Sequence, residues 1–316
     1  MTTIEILNQV LELIAALTAA PLFLGWVNQC RAWLQNRRAP SIWLPYRGIR
    51  KLFHKDAVIA DTASPLFRVA PYIVFGAMVV AAGIIPSMGT RLPFTIAADA
   101  IALVGLLATA RVFLSLAAMD IGTAFGTLGA RREMMVGFLA EPALLMVIFV
   151  ASMISATTAL PAITENLATQ TLGLYPSLAF TAVAFILVLL AENARIPIDN
   201  PATHLELTMI HEAMVLEYSA RHLALMEWAA ALKLFNYACI GFALFIPWGI
   251  STSESSPIAL LASIPLLGVK LAVTGAGLAL IETVSAKLRV FRAPEFLAVA
   301  FLLAVLGLLV HLLLGA

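Results

Sequence analysis

The chain has 316 residues, of which 62% are hydrophobic and only 12% are charged, and its mean hydropathy is +0.98. A water-soluble domain of this length does not need so apolar a composition, which indicates an integral membrane protein. The formal net charge of +1 offers no basic surface for phosphate groups, so nucleic acid is not expected as a partner.

The cysteine content gives no reason to expect a redox cofactor in this chain. Cys30 and Cys239 are far apart and no CxxC pattern occurs, so a ligand set for an iron–sulfur cluster or a structural zinc ion is missing. His211 and Glu212 begin like the zinc motif HExxH, but Val215 stands where the second histidine would be. We therefore expect no metal in this chain and place any redox centre in partner subunits.

Apolar segments long enough to cross a bilayer recur along the whole chain. A spanning helix needs roughly 20 apolar residues because the hydrocarbon core is about 30 Å thick. We count about eight such segments: Ile4–Val27, Leu66–Ile85, Ile96–Ala118, Gly137–Ala159, Leu178–Leu190, Leu223–Trp248, Ile258–Ile281 and Phe296–Leu314. The fifth is short and ends among charges, so its end is expected in protein or water. The prediction is one all-α membrane domain over residues 1–316.

The first apolar segment has no basic residues before it and is long enough to span, so it is predicted to be a transmembrane helix and not a cleaved signal peptide. Lysine and arginine are concentrated in alternate loops, whereas the opposite loops contain only Arg91. Basic loops normally face the cytoplasm. We therefore predict a multi-pass protein of the cytoplasmic (inner) membrane with both termini on the outer side.

The loop after the first span is long and amphipathic. It mixes aromatic residues with the cations Arg31, Arg37, Arg38, Arg47, Arg50, Lys51 and Lys55. Such a segment can lie at the lipid interface, with its cations toward lipid phosphates. It can equally dock a partner protein, and the sequence leaves both interpretations open.

Several ionisable residues fall inside or next to the apolar segments. Each costs about 2.5–3.5 kcal/mol at the bilayer centre, so such residues usually face protein or water and indicate a pathway. Glu141, Lys233, Lys270 and Glu282 are the strong cases. Glu12, Asp99 and Arg111 are weaker, because side chains near an interface can reach water cheaply.

The segment between the fifth and sixth spans is acidic: it contains Glu192, Asp199, Glu206, Glu212 and Glu217. Pro197 and Pro201 interrupt any helix, and a helical run can restart at Thr203. An unbroken helix from there would place Glu206 and Glu217 on one face. Clustered carboxylates in a low-dielectric site suit proton transfer near neutral pH. The alternative is a solvated loop that happens to be acidic.

Several stretches along the chain carry a resemblance to a known family. They are Arg37 to Pro40, Tyr46-Arg47 through Lys51 to Phe53, Phe67-Arg68, Asp120 to Phe125 followed by Gly129 to Glu133, Glu141-Pro142, Glu192 through Ile196 to Asp199, Glu206-Leu207, Glu217 to Ser219, Lys233, Lys270, and Glu282 with Ala286 to Arg289. Through these stretches, nearly the whole chain resembles the membrane subunits of group 4 energy-converting [NiFe] hydrogenases of the formate hydrogenlyase and hydrogenase 4 type, which are related to subunit 1 of respiratory complex I.

The resemblance implies a non-catalytic subunit that docks a soluble electron-transfer arm and begins a hydrophilic axis into antiporter-like membrane subunits. The resemblance implies a pathway for protons or sodium ions, to which we add Glu212 because it lies in the acidic segment. The pathway residues are then Glu141, Glu192, Asp199, Glu206, Glu212, Glu217, Lys233, Lys270 and Glu282. Arg132 and Arg195 would neutralise part of this charge. The soluble arm would contact Arg37, Arg38, Arg47, Arg50 and Lys51.

The implied partners are membrane lipids, the hydrogenase large and small subunits, an iron–sulfur subunit and the antiporter-like subunits. Iron–sulfur clusters and a nickel–iron centre would belong to those partners. This chain departs from the family pattern at Ala39, Leu44 and Gly48, and it has ATHLEL over 202–207 in place of a more acidic run. The departures argue against quinone binding and leave open whether the large subunit contains nickel.

Two other functions stay open. One is the quinone-site subunit of a complex I-type NADH dehydrogenase, against which the altered acidic run argues. The other is a stand-alone secondary transporter, which would require two similar halves with paired broken helices. No such internal symmetry is found in the sequence.

Overall fold

The computed structural model describes residues 3–93, 99–169, 176–199, 209–251, 257–288 and 292–314, and within these ranges it contains helices and no strands. The helices are α1 (Thr3–Leu34), α2 (Leu44–Phe53), α3 (Pro65–Ile84), α4 (Ala100–Asp120), α5 (Ala124–Ser155), α6 (Leu160–Thr169), α7 (Pro176–Glu192), α8 (His211–Val215), α9 (Ala220–Phe245), α10 (Pro257–Val284) and α11 (Ala293–Leu314).

The prediction of about eight transmembrane helices is confirmed. Among the described residues, seven helices are long and apolar enough to cross a membrane, and α7 is a shorter apolar helix. This short helix is the fifth predicted span. Its shortness has a local cause, because a turn follows Glu192 and Pro197 lies just beyond it.

Two predicted boundaries are wrong. The fourth span was expected from Gly137, but α5 begins at Ala124, where Thr123 caps it by accepting a hydrogen bond from the Gly126 amide. The helix therefore includes Glu133 as well as Glu141. It ends at Ser155, before Ala156 adopts a left-handed conformation with φ 53°, and the unpredicted helix α6 follows.

Helix α9 lies at the centre of the bundle. Most of its residues are buried, and it contacts α3, α1 and α2. Helices α4 and α5 pack side by side, and α11 packs against α7 and α5. Helix α10 lies mainly against α1, so much of its surface is left for lipid or for a partner.

The acidic segment between α7 and α9 is mostly non-helical where it is described. Met209 and Ile210 are not helical, α8 is only five residues long, and Leu216 and Glu217 form a turn. An unbroken helix reaching Glu217 is therefore ruled out, although Thr203 and Glu206 lie outside the described residues.

Helix α2 is the amphipathic part of the first predicted cytoplasmic loop. It packs on α9 and α1 through one side that includes the buried Ile49. Its cations point away from that contact: Arg47, Arg50 and Lys51 are exposed, as are Arg37 and Arg38 in the preceding loop.

Candidate functional site

Arg111 of α4 is the centre of a buried group of ion pairs. Glu133, Gly137 and Glu141 follow one another on α5 at intervals of four residues, which puts them on one helix face. Arg111 crosses that face: its Nε lies 3.4 Å from Oε1 of Glu133, and its Nη1 lies 2.6 Å from Oε1 of Glu141. Gly137 leaves the room for this, because a Cβ there would lie 2.8 Å from Cδ of Arg111.

Glu192, the last residue of α7, joins this arginine to α9. Its side chain is 1% exposed, its Oε1 pairs with Nη2 of Arg111, and its Oε2 lies 3.0 Å from Nζ of Lys233. The Tyr237 phenol also lies within electrostatic reach of Glu192. Lys233 and Tyr237 are four residues apart and so share one face of α9. The two cations thus compensate this carboxylate for its lost hydration.

We call this group the Arg111 cluster; its members are Arg111, Glu133, Glu141, Glu192, Lys233 and Tyr237. All six are buried or partly buried in the bundle, and Arg111 itself is 6% exposed. Among Arg111 and its three carboxylate partners, Glu141 has the most exposed side chain, at 34%. The cluster therefore reaches from the buried interior to the outer surface of α5.

A second buried carboxylate, Glu282 of α10, is shared by two arginines. Nη1 of Arg195 lies 3.0 Å from its Oε1, and Nη1 of Arg31 lies 3.4 Å from its Oε2. Burial lowers the pKa of the Arg195 guanidinium, and the negative charge of Glu282 acts in the opposite direction. Arginine stays protonated in proteins. This contact therefore ties α1, α10 and the segment after α7 together through charge.

Asp199 holds the two ends of the acidic segment. Its Oδ2 accepts hydrogen bonds from the Ile210 and His211 amides at 3.1 and 3.2 Å, and its Oδ1 lies 3.3 Å from Nζ of Lys287. The Leu288 amide also donates to the carbonyl of Pro197 at 2.8 Å. Asp199 thus fixes the start of α8 and links it to the residues after α10.

A cavity of about 520 Å³ lies between α1, α2, α9 and the acidic segment. One wall is apolar and includes Leu24, Leu44 and Ile49. The charged residues along it are Arg31, Glu192, Arg195, Asp199, Glu212, Glu227 and Lys233. The same cavity is therefore reached by the Arg111 cluster, by Asp199 and by the two arginines that pair with Glu282.

A smaller void of about 30 Å³ lies between this cavity and the interior of the Arg111 cluster. It is lined by Arg111, Glu133, His211 and Lys233, and the last two also line the large cavity. This volume is enough for a water molecule, which needs roughly 10–15 Å³ by the same measure. The void can therefore hold a single water molecule beside Arg111, Glu133 and Lys233, although apolar side chains form most of its wall.

Some residues predicted for the pathway lie away from this cluster. Nζ of Lys270 donates to the carbonyl of Ile246 at 2.7 Å and lies 5.7 Å from the Phe242 ring centre. Glu217 is exposed in the turn between α8 and α9. Arg132 was expected to neutralise carboxylates, but its Nη1 donates to the carbonyl of Met209 at 2.9 Å, and it makes no ion pair with the described residues. Glu206 lies outside the described residues.

Two of the three residues treated as interfacial, Arg111 and Glu12, are buried instead. Arg111 is the central cation of the site, and Glu12 is 1% exposed on α1. Asp99 caps α4 by accepting hydrogen bonds from the Ile101 and Ala102 amides. Interface snorkelling does not apply to Arg111 and Glu12, because both are enclosed by other helices.

The sequence held signals for residues that our prediction missed. The four-residue spacing of Glu133, Gly137 and Glu141 marks a face that a long cation could cross. The same spacing of Lys233 and Tyr237 marks the face of α9 that meets Glu192. Glu227, which lines the cavity, follows no such pattern and was found only in the structure.

Among the described residues, no group of three or more His, Cys, Asp or Glu side chains is arranged to hold a metal ion. Cys30 and Cys239 are both buried, and neither forms a disulfide.

Comparison with known proteins identifies the family of the chain. The family model described as NADH dehydrogenase matches residues 7–313. The chain is 35% identical to hydrogenase-4 component C of Escherichia coli K12 over 254 residues, which cover 80% of this chain and 79% of that protein. It is 31% identical to formate hydrogenlyase subunit 4 of the same organism over 291 residues, which cover 92% of this chain and 94% of that protein.

A chain of the membrane-bound sulfane sulfur reductase, an archaeal respiratory membrane complex, has the same fold, with a TM-score of 0.82 and 20% identity over 96% of this chain and 98% of that chain. The resemblance drawn from the sequence is thereby confirmed. The chain belongs to the NADH dehydrogenase family, and hydrogenase-4 component C and formate hydrogenlyase subunit 4 are its relatives.

Proposed function

We propose that the chain is the membrane subunit of a hydrogenase-type redox complex and that it conducts protons or sodium ions through its buried charged residues. The observation that carries this proposal is Glu192, which is fully buried between two cations and also lines the 520 Å³ cavity. The names of two relatives support the hydrogenase-type assembly. The chain itself would be non-catalytic, with iron–sulfur clusters and a nickel–iron centre in partner subunits.

The cavity is the proposed entry from the cytoplasmic side. Two carboxylates of the cavity lining, Glu212 and Glu227, would exchange protons with water. Glu192 would then pass charge inward when the ammonium group of Lys233 moves from the Glu192 carboxylate toward the 30 Å³ void. A lysine paired with one carboxylate responds to the charge of its neighbours, because a like or unlike charge within about 4–6 Å changes which protonation state is favoured. Arg111 then links Glu192 to Glu141.

Glu141 indicates where the pathway leaves the subunit. Its side chain is 34% exposed on α5, although it lies in a membrane-spanning helix. A carboxylate facing lipid at that depth would cost about 2.5–3.5 kcal/mol. We infer that this face of α5 is covered by a neighbouring membrane subunit of the antiporter-like kind, which would receive the charge.

The exposed cations of α2 and the loop before it would dock the soluble arm. Arg37, Arg38, Arg47, Arg50 and Lys51 all point away from the bundle. A cationic surface of this kind steers and orients an acidic partner more than it adds affinity. It would also bring the hydrogenase large and small subunits above the cavity, where their redox changes can act on Glu192.

A second candidate function is quinone binding in the cavity. The observation in its favour is the apolar wall of a space as large as 520 Å³, a volume typical of small-molecule sites. Against it stand the seven charged residues that share the lining. Photoaffinity labelling with a quinone analogue would decide: labelled peptides from α1, α2 or α9 support this candidate, and labelling only elsewhere in the complex removes it.

The test of the main proposal is Glu192→Gln in the purified complex reconstituted into vesicles. Glutamine keeps the size and the hydrogen-bonding shape but loses the charge and the titratable proton. We expect ion uptake per electron to fall at least tenfold while hydrogen-dependent dye reduction by the soluble arm persists. Glu295→Gln, an exposed carboxylate at the start of α11, is the matched control. Wild-type ion uptake in Glu192→Gln would refute the pathway.

A further inference from the structure

Glu12 is a buried carboxylate that the proposed pathway does not use. It lies on α1 and is 1% exposed. Its Oε1 accepts hydrogen bonds from the Met88 and Gly89 amides at 2.9 and 2.8 Å. Its Oε2 is fully buried and has no hydrogen-bond partner in the described part of the chain. One oxygen of this group is thus strongly held, and the other is enclosed without a hydrogen bond from the described residues, although the Ser87 amide also lies near the carboxylate.

No cation pairs with Glu12 among the described residues, which distinguishes it from the other fully buried glutamates. Glu192 and Glu282 each contact two cations. The titratable group facing Glu12 from α9 is the Cys239 thiol, which also lies within electrostatic reach of Lys270 on α10. From α6, Glu165 approaches the same loop through Thr90, with 3.5 Å between its Oε2 and the threonine hydroxyl.

These contacts allow two protonation states. An ionised carboxylate buried without a cation is very costly, which favours the form that holds a proton. The two amides aimed at Oε1 stabilise the anion, since hydrogen bonds to a charged acceptor are roughly twice as strong as neutral ones. Burial and hydrogen bonding therefore act in opposite directions on the proton affinity of Glu12.

The position of Glu12 places it at the far end of the bundle from the cavity. Sixteen residues along α1 separate it from Asn28, which lines the cavity, and this corresponds to about 24 Å. A short cap closes that end, where the Thr90 amide donates to the Ser251 carbonyl at 2.9 Å and the Ser251 amide donates to the Met88 carbonyl at 2.8 Å. Glu12 holds this cap through the Met88 and Gly89 amides.

We propose that Glu12 is a second proton-binding site, at the outer end of the membrane domain, which holds a proton at rest and exchanges it with the outer aqueous side through the 88–90 cap during turnover. This inference rests on the proposed function, because it assumes that the complex moves ions. A purely structural role would be filled equally well by glutamine, whose amide oxygen accepts the same two hydrogen bonds and which carries no charge.

The experiment compares Glu12→Gln with wild type in the reconstituted complex, with Glu5→Gln on the same helix as the control. Infrared difference spectra at neutral pH should show that a protonated carboxylic acid band is lost in Glu12→Gln and kept in Glu5→Gln. Proton release per electron should fall at least twofold in Glu12→Gln, while dye reduction and complex yield stay at the wild-type level.

Either of two results overturns the inference. If only carboxylate bands change in Glu12→Gln, the residue is ionised at rest. If the acid band is lost but proton release is unchanged, Glu12 is a fixed hydrogen-bonding group. The Glu192→Gln variant distinguishes a failure of this inference from a failure of the proposed function. Normal transport in Glu12→Gln together with impaired transport in Glu192→Gln refutes only the second proton-binding site. Normal transport in both variants refutes the proposed pathway as well.

Discussion

Gly137→Ala tests whether Arg111 organises the site, since the substitution adds a single methyl group where the guanidinium crosses α5. In a helix interior, replacing glycine by alanine normally stabilises by about 1 kcal/mol. Here the added Cβ would lie 2.8 Å from Cδ and 3.0 Å from Cζ of Arg111, closer than packed carbon atoms can approach. The arginine would have to move, although its side chain is only 4% exposed and contacts three carboxylates.

Breaking a buried ion pair costs about 3–5 kcal/mol, so the net destabilisation expected for Gly137→Ala is about 2–4 kcal/mol. At about 2–4 °C per kcal/mol, the melting temperature of the detergent-solubilised complex should fall by roughly 5 °C or more. Gly105→Ala is the matched control, because Gly105 lies on α4 and a Cβ there would meet nothing within 4 Å. Its melting temperature should stay unchanged or rise. Equal melting temperatures for the two variants would refute the crossing of Arg111 over Gly137.

Two further predictions concern the exposed cations of α2 and a buried hydrogen bond of Tyr218. Replacing Arg47, Arg50 and Lys51 together by glutamine should lower the amount of soluble arm that co-purifies with this chain at least fivefold, because all three cations are exposed on α2. The control replaces Lys55 and Arg91 by glutamine. Equal co-purification of the soluble arm with the two variants would indicate that the cations of α2 face lipid. Tyr218→Phe should cost about 1 kcal/mol of stability, because the Tyr218 hydroxyl donates a buried hydrogen bond to the Phe67 carbonyl at 3.0 Å. Burial and the charge of Asp120 raise the pKa of Tyr218 above 10.0, so this stability is fully present below pH 10 and is lost as the pH rises beyond it. Melting curves from pH 8 upward should therefore show a steeper alkaline decline for wild type than for Tyr218→Phe, and parallel curves would contradict the assignment.

Much of the architecture could be predicted from the sequence because a bilayer imposes simple requirements on it. Spans must be apolar over roughly 20 residues, and a short apolar run followed by charges and prolines must end inside protein. This reasoning located seven long helices and the shorter α7, and it identified Glu141, Glu192, Lys233 and Glu282 as charged residues in or beside the spans. The residues that carry the family resemblance could likewise be read without coordinates.

The pairing of those charges depends on the tertiary structure. Arg111 and Glu12 each lie in an apolar run where the sequence alone allows either an interfacial or a buried position. Helix packing decides between them: α4 turns Arg111 toward Glu133 and Glu141 of α5, and α1 turns Glu12 toward the cap after α3. Lys270, which looked equivalent to Lys233, faces the end of α9 and donates to the Ile246 carbonyl. The sequence by itself determined which charges enter the membrane domain, whereas only the folded structure decided their partners, because partners on different helices are set by helix rotation and contact and not by spacing along one chain.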